Sequence, residues 1–94
     1  MPNIQRRLLS VRRQVPIDRS QLYQALWTAL ATAATAGGAH AWRFVSSIDA
    51  ECHLEFLEFG ADSDPREAVE VRALIDRLEA EVGASTFEEW IEDR

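Results

Sequence analysis

Ninety-four residues, 47% hydrophobic and 28% charged, suit one globular domain over residues 1–94 and exclude a disordered or fibrous chain. A net charge of −6 argues against a general nucleic-acid binder, whose phosphate contacts need a basic face, and against attraction to anionic lipid. A chain this short buries a modest share of its surface, so self-association would help it.

The charge is segregated along the chain: residues 1–19 net +4, residues 20–42 carry none, and residues 43–94 net −10. All ten basic side chains are Arg, which reads chiefly as coding bias, with selection for bidentate pairing as the alternative. The single Cys52 cannot form an internal disulfide, and the first residues lack the apolar run of a signal peptide, so a cytoplasmic protein is expected.

Residues 4–15 are rich in aliphatic side chains, show no helical stripe and stop at Pro16, which predicts a first strand. Asp18 with Gln21 three residues on has capping-box spacing and opens a helix to about Ala36. Leu22, Leu26, Ala29 and Ala33 form one stripe along it, and Tyr23, Trp27, Leu30 and Ala34 a second beside it. A wide buried face is expected, one side on the sheet and an edge against a second helix or a second subunit. The uncharged run has the length of a membrane span, but Gln21, Gln24, Thr28, Thr32 and Thr35 interrupt it. Gly37-Gly38 then ends the helix after about four turns by supplying left-handed backbone.

Residues 39–47 alternate in strand fashion, residues 48–51 make a short turn, and residues 52–59 return as a third strand, giving a hairpin. Asp64-Pro65-Arg66-Glu67 places a cap, a first-turn proline and an acid in helix-starting order. Ala68, Val71, Ile75, Leu78 and Val82 follow as the apolar stripe, while Glu67, Glu70, Arg77 and Glu81 can stay in water. Gly83 closes this helix, and residues 87–92 form a short last strand.

The order β-α-β-β-α-β is the split βαβ arrangement of a ferredoxin-like α+β sandwich, a four-stranded antiparallel sheet with two helices on one face. Right-handed crossovers place the first and third strands at the centre. Arg6, Arg7, Arg12 and Arg13 then face strands carrying Glu55, Glu58, Glu88, Glu89 and Glu92, and opposite charges across a ladder contribute about 0.2 to 1 kcal/mol each. An anion-binding role for these arginines is the alternative. Ile4 and Leu8 oppose Leu9 and Val11 on the first strand, and Leu54 and Phe56 oppose Leu57 and Phe59 on the third. With apolar residues on both faces, one side of the sheet should pack the helices and the other the same face of a second copy, which predicts a homodimer.

This strand order, the aromatic hairpin His40-Ala41-Trp42-Arg43-Phe44, and the segment Leu54-Glu55-Phe56-Leu57-Glu58-Phe59 leading into a proline-started helix resemble the dimeric α+β barrel superfamily. Its small members include antibiotic-biosynthesis-type monooxygenases and stress-responsive barrel domains. The resemblance spans most of the chain and implies a pocket between sheet and helices in each subunit, with dimerisation through the sheets. Haem-degrading relatives use a His on the second helix, but residues 65–82 contain neither His nor an aromatic, so haem degradation is not expected. The cofactor-free oxygenases vary in their polar and aromatic site residues, so no residue role carries over from them.

A two-residue turn at Asp49-Ala50 would put His40, Trp42, Phe44 and Ser46 on one face with Phe59, Leu57, Glu55 and His53. On that register the two imidazoles stand roughly 20 Å apart and cannot share a metal, and Cys52 points away from His53. No metal or cofactor is expected. His53 with Glu55 on the same face could act as a general-base pair, and His40 is the other catalytic candidate; the plainer reading makes both ordinary histidines. Tyr23, Trp27, Trp42 and Phe44 could line a pocket for a small aromatic or polycyclic molecule, with Arg43 or an Arg of the first strand holding an anionic group, or could simply be core, with Arg43 diagonal to Glu58. Trp90 could cap a partner's sheet. Cys52 lacks a base beside it and is a poor nucleophile. Two functions follow: a small-ligand-binding or cofactor-independent oxygenase-like barrel, or a non-enzymatic dimeric module for sensing, carrying or protein interaction.

Overall fold

The computed structural model describes residues 5–93, so Ile4, where the expected first strand begins, lies outside the described residues. The elements are β1 (Arg6–Gln14), α1 (Ser20–Ala36), β2 (His40–Val45), β3 (Cys52–Gly60), α2 (Val69–Glu81) and β4 (Thr86–Ile91). The four strands form one antiparallel sheet in the order β2-β3-β1-β4, with β1 and β3 central. This is the expected α+β ferredoxin-like arrangement, because each helix returns the chain across one face of the sheet.

Helix α1 turns its second stripe inward: Tyr23, Trp27, Leu30 and Ala34 are buried together with Leu26, while Ala29 is exposed and Leu22 and Ala33 half-covered. Its polar residues Gln21, Gln24, Thr28 and Thr32 face outward, and one edge packs on α2. Helix α2 contributes Val71 and Leu78, both buried, to the same core as Leu9, Leu57 and Phe59. In such a core a Leu-to-Ala truncation costs about 2 to 5 kcal/mol.

The helix ends differ from the sequence expectation in instructive ways. Asp18 does not cap α1; it lies in a single 3-10 turn, Ile17–Arg19, that intervenes after Pro16, and the cap residue Arg19 makes no side-chain cap bond. At the other end Ala39 N donates to Ala34 O and Gly38 N to Thr35 O, a Schellman closure with buried Ala34 and Ala39 meeting across it. Only Gly38, at φ 98°, needs the left-handed region; Gly37 does not. Asp64 does cap, accepting from Arg66 N at 2.9 Å, but it caps a 3-10 turn, Pro65–Glu67. Ala68 is extended, at φ −75° and ψ 128°, and exposed, so α2 proper starts at Val69.

The hairpin is the main correction. Its turn is a wider loop closed by Ser46 N donating to Cys52 O and Cys52 N to Asp49 O. Side chains stabilise it: Ser46 Oγ accepts from Ile48 N and Asp49 N, and Asp49 Oδ1 accepts from Glu51 N. The extra residue shifts the pairing by one, so His40 lies opposite Glu58, Trp42 opposite Phe56, Phe44 opposite Leu54 and Val45 opposite His53. A one-residue slip exchanges the two faces of a strand. His40, Trp42 and Phe44 therefore do not share a face with His53 and Glu55; they lie on the side of the sheet away from the helices.

The basic first strand pairs with acids on both neighbours: Arg6 with Glu92 at 3.5 Å, Arg7 with Glu89 at 3.9 Å and Arg13 with Glu55 at 2.6 Å. Arg12 instead sits 3.3 Å from Cys52 Sγ. On the face away from the helices Trp42 stacks on Phe56 at 5.3 Å, and Phe44 meets Phe56 edge-on at 5.9 Å. Trp90 Nε1 donates to Ser10 Oγ on the same face. Among the described residues nothing covers these rings, and Trp42, Phe44 and Trp90 are 36%, 59% and 51% exposed.

Candidate functional site

On the helix side, alternation along β1 and β3 continues the apolar rows Leu9, Val11 and Phe59, Leu57 into charge: Arg13 on one strand, Glu55 and His53 on the other. Arg13, His53 and Glu55 are all buried. Buried charges persist only when paired and hydrogen-bonded. Arg13 Nε donates to Glu55 Oε2 at 2.6 Å, while its Nη1 donates to Glu79 Oε1 at 2.9 Å and to the Gly83 carbonyl at 2.7 Å. Burial works against the Arg13 charge, but the Glu55 and Glu79 contacts outweigh it and hold the pKa above its ordinary value.

Tyr23, fully buried on α1, donates its hydroxyl to the same Glu55 Oε2 at 2.7 Å. Burial, and then the neighbouring Glu55 charge, push the phenol pKa far up, so Tyr23 stays protonated and is no base. His53 stands against the Tyr23 ring, centroids 4.8 Å apart. Arg43 Nη1 approaches His53 Nδ1 at 3.2 Å and lies over the Tyr23 ring at 5.3 Å. A guanidinium can only donate, so Nδ1 accepts and the imidazole proton sits on Nε2. Burial first and the Arg43 charge second push the His53 pKa down, against a smaller pull from Glu55. Arg43 thus faces Glu55 and His53 rather than the expected Glu58.

Glu55 uses one oxygen for both partners. Its Oε1 has no hydrogen bond from any described residue, although the side chain is only 4% exposed. Glu55 also lines a cleft of about 110 Å³ between the two helices and strands β1, β3 and β4. The walls are mainly apolar: Leu9, Val11, Trp27, Leu30, Ile75 and Phe87. A carboxylate oxygen without a donor among the described residues, on a side chain that lines a mainly apolar cleft, can accept a proton or a hydrogen bond from a bound molecule.

Of the residues singled out in the sequence, Tyr23, Arg43, His53 and Glu55 come together, and Trp27 lines the cleft with Glu55. His40, Trp42 and Phe44 stand on the opposite face. The sequence reading missed Arg13 as a cleft residue, and missed Arg72 and Glu79 altogether. Arg13 follows Leu9 and Val11 in the inward register of β1, and Arg72, Ile75 and Glu79 recur at three and four residue spacing on α2, so both patterns carried a signal. Among the described residues no cluster of three His, Cys, Asp or Glu side chains could hold a metal ion, and no described helix is long and apolar enough to cross a membrane.

No family model matches the chain, and no curated protein matches it. Solved structures do. A Bacteroides thetaiotaomicron protein of unknown function, named as a possible oxidoreductase, superposes with a TM-score of 0.79 at 12% identity, covering 97% of this chain and 100% of its own. A candidate antibiotic biosynthesis monooxygenase from Nitrosomonas europaea gives 0.74 at 8% identity, covering 100% and 94%. A further candidate of that kind from Chloroflexus aurantiacus gives 0.71 at 10% identity, covering 95% and 94%. Identities this low speak for the fold alone. The chain accordingly has the ferredoxin-like α+β fold of the antibiotic biosynthesis monooxygenase-like proteins, as its strand order and aromatic hairpin led one to expect.

Proposed function

We propose that the protein binds a small aromatic molecule in the cleft between helices and sheet and oxidises it without a metal, with Glu55 as the base. The observation that carries this reading is that Glu55, whose Oε1 has no donor among the described residues, lines a mainly apolar cleft. The volume sets the ligand's size. At about 110 Å³ the cleft falls below the roughly 300 Å³ at which sites for drug-sized ligands begin, and near the ~150 Å³ cavity that holds benzene. A cleft of this size suits a single ring better than a polycyclic molecule.

The chemistry needs an acidic ring substituent and dioxygen. Glu55 Oε1 removes a proton, and the electron-rich anion left behind supplies the electron pair of a new carbon–oxygen bond to dioxygen. The resulting peroxide takes the proton back from Glu55, and loss of water, which breaks the O–O bond and removes the hydrogen of the oxygenated ring carbon, leaves a carbonyl. Arg13 and Tyr23 hold the carboxylate in place through Oε2. His53 and Arg43 stand behind Tyr23 as positioning residues, and the fold neighbours named as monooxygenases or oxidoreductase support the direction of the reading.

Oxygen uptake with a panel of single-ring hydroquinones and phenols tests it. The wild type should consume oxygen with at least one, and Glu55→Gln should bind that compound and fail to turn it over. Unchanged turnover in Glu55→Gln would remove Glu55 from the chemistry. Binding without turnover in the wild type would leave the second reading, a non-enzymatic carrier or sensor. That reading has its own support: Glu55 Oε2 ties β1, β3 and α1 together, a structural duty sufficient to keep a buried acid.

The same proposal includes a homodimer through the sheet face away from the helices. The exposed rings of Trp42, Phe44 and Trp90 on this face support a second copy as its cover, since exposed apolar surface marks interaction sites.

A further inference from the structure

We infer that the cleft selects a single-ring molecule carrying an anionic group opposite its reactive end, with Arg72 receiving the anion. The inference rests on the cleft being a ligand site and adds the charge and shape of the ligand. Three cations line the cleft: Arg13, Arg66 and Arg72. Arg13 is neutralised by Glu55 and Glu79. Arg66 is held by Asp64 at 2.6 Å and by Glu89 at 2.9 Å, and these contacts raise its pKa against burial. The Arg72 guanidinium has no ion pair or hydrogen bond with any described residue. Of the three cations that line the cleft, it is the one that no described residue pairs.

The placement of Arg72 gives the ligand a direction. Arg72, Ile75 and Glu79 lie along the cleft-facing stripe of α2, and Glu79 at the far end is bound to Arg13, which in turn binds Glu55. Seven residues of helix separate Arg72 from Glu79, about 10 Å along the axis. Between these ends the walls are apolar, with Ile75 on α2 and Leu9 and Val11 on the sheet. One ring with substituents at opposite ends matches this layout: a carboxylate at Arg72 and a protic group toward Glu55 Oε1. Because Arg72 is exposed, the anion keeps much of its hydration while the ring leaves water, so desolvation costs little. The reverse orientation would bring the anion to Glu55 and Glu79, where like charges repel.

The probe is 4-hydroxybenzoate against its uncharged methyl ester, followed by chemical-shift changes or tryptophan fluorescence on the full chain. The wild type should bind the acid about fivefold more tightly than the ester, with the preference shrinking as salt rises. Arg72→Gln should bring the two to equal affinity, and Arg72→Glu should reverse the order, each with a circular dichroism spectrum like the wild type. Equal binding of acid and ester by the wild type, or a preference that survives Arg72→Gln, overturns the role of Arg72 while leaving the cleft a ligand site. Failure of both compounds to bind overturns the ligand site and this inference with it.

Discussion

The Tyr23 hydroxyl and the Glu55 carboxylate meet at 2.7 Å across the interface between α1 and the sheet, both side chains buried. Tyr23 is the only tyrosine in the chain, so its ionisation can be read without interference. Its pKa is raised above the ordinary 10.0 by burial and by Glu55. A raised folded-state pKa stabilises fully below the unfolded value and loses that stabilisation as pH climbs above it. On raising the pH past 10, tyrosinate absorbance should appear together with loss of the far-ultraviolet helix signal, as one transition. Tyrosinate forming in a still-folded protein would show that Glu55 does not hold the phenol proton. Tyr23→Phe should cost about 1 to 2 kcal/mol at neutral pH and flatten the alkaline limb of the stability profile.

Arg13 and Glu55 are coupled, and removing either should cost more than removing both. Glu55→Ala leaves the Arg13 guanidinium buried with only Glu79 and the Gly83 carbonyl, and about 3 kcal/mol of stability should be lost. Arg13→Met with Glu55→Met removes both charges and replaces them with flexible apolar volume; this double variant, which still leaves the Tyr23 hydroxyl without its acceptor, should lose less stability than Glu55→Ala alone. Urea midpoints for the two singles and the double give the coupling directly. Additive effects would mean that the 2.6 Å contact contributes nothing specific.

The strand and helix order was legible because periodicity changes sharply at Pro16, at Gly37-Gly38, around Asp64 and at Gly83. The central place of β1 followed from the right-handed crossovers of the split βαβ order, and the pairing of its arginines with acids that this placement implied is seen in Arg13–Glu55 and Arg7–Glu89. The faces of β2 were not legible. They depend on whether the loop after Val45 holds an even or odd number of residues, which is decided by hydrogen bonds from Ser46 and Asp49 side chains. No propensity of residues 40–45 encodes that parity. His53 and Glu55 sharing a face was legible because they lie two residues apart in a strand, whatever the register.

His53 gives the protein an acid sensitivity of a defined sign. Burial and Arg43 push its pKa below the ordinary 6.5, so the unfolded chain binds the proton more readily than the folded one. The stabilisation is complete above that value and is lost as pH falls through the folded-state pKa. Asp49 and Asp64 are also lowered, but from 3.8, so their losses come at more acid pH. The urea midpoint should therefore decline on going from neutral to mildly acid solution, before the carboxylates protonate. In His53→Gln, whose amide oxygen can accept from Arg43, that first decline should vanish and the more acid one remain. An unchanged profile would assign the first decline to another group.

Trp42 is the residue through which to test the open sheet face. Its ring stacks on Phe56, but 36% of it stays exposed, so a charge placed there disturbs little of the folded subunit. The core lies on the other side of the sheet, built on Leu9, Leu57, Val71 and Leu78. In a dimer formed by apposed sheets, Trp42→Glu would bury two like charges near each other in an apolar interface, where each costs several kcal/mol. Sedimentation of the wild type at micromolar concentration should give the mass of two chains, and Trp42→Glu that of one, with the cooperative thermal transition retained. Val69→Glu supplies the control, since Val69 is 85% exposed on the helix layer, and it should sediment as the wild type does. A monomeric wild type would remove the second copy from the sheet face. A variant that stays dimeric with Trp42→Glu would move the interface elsewhere on the molecule.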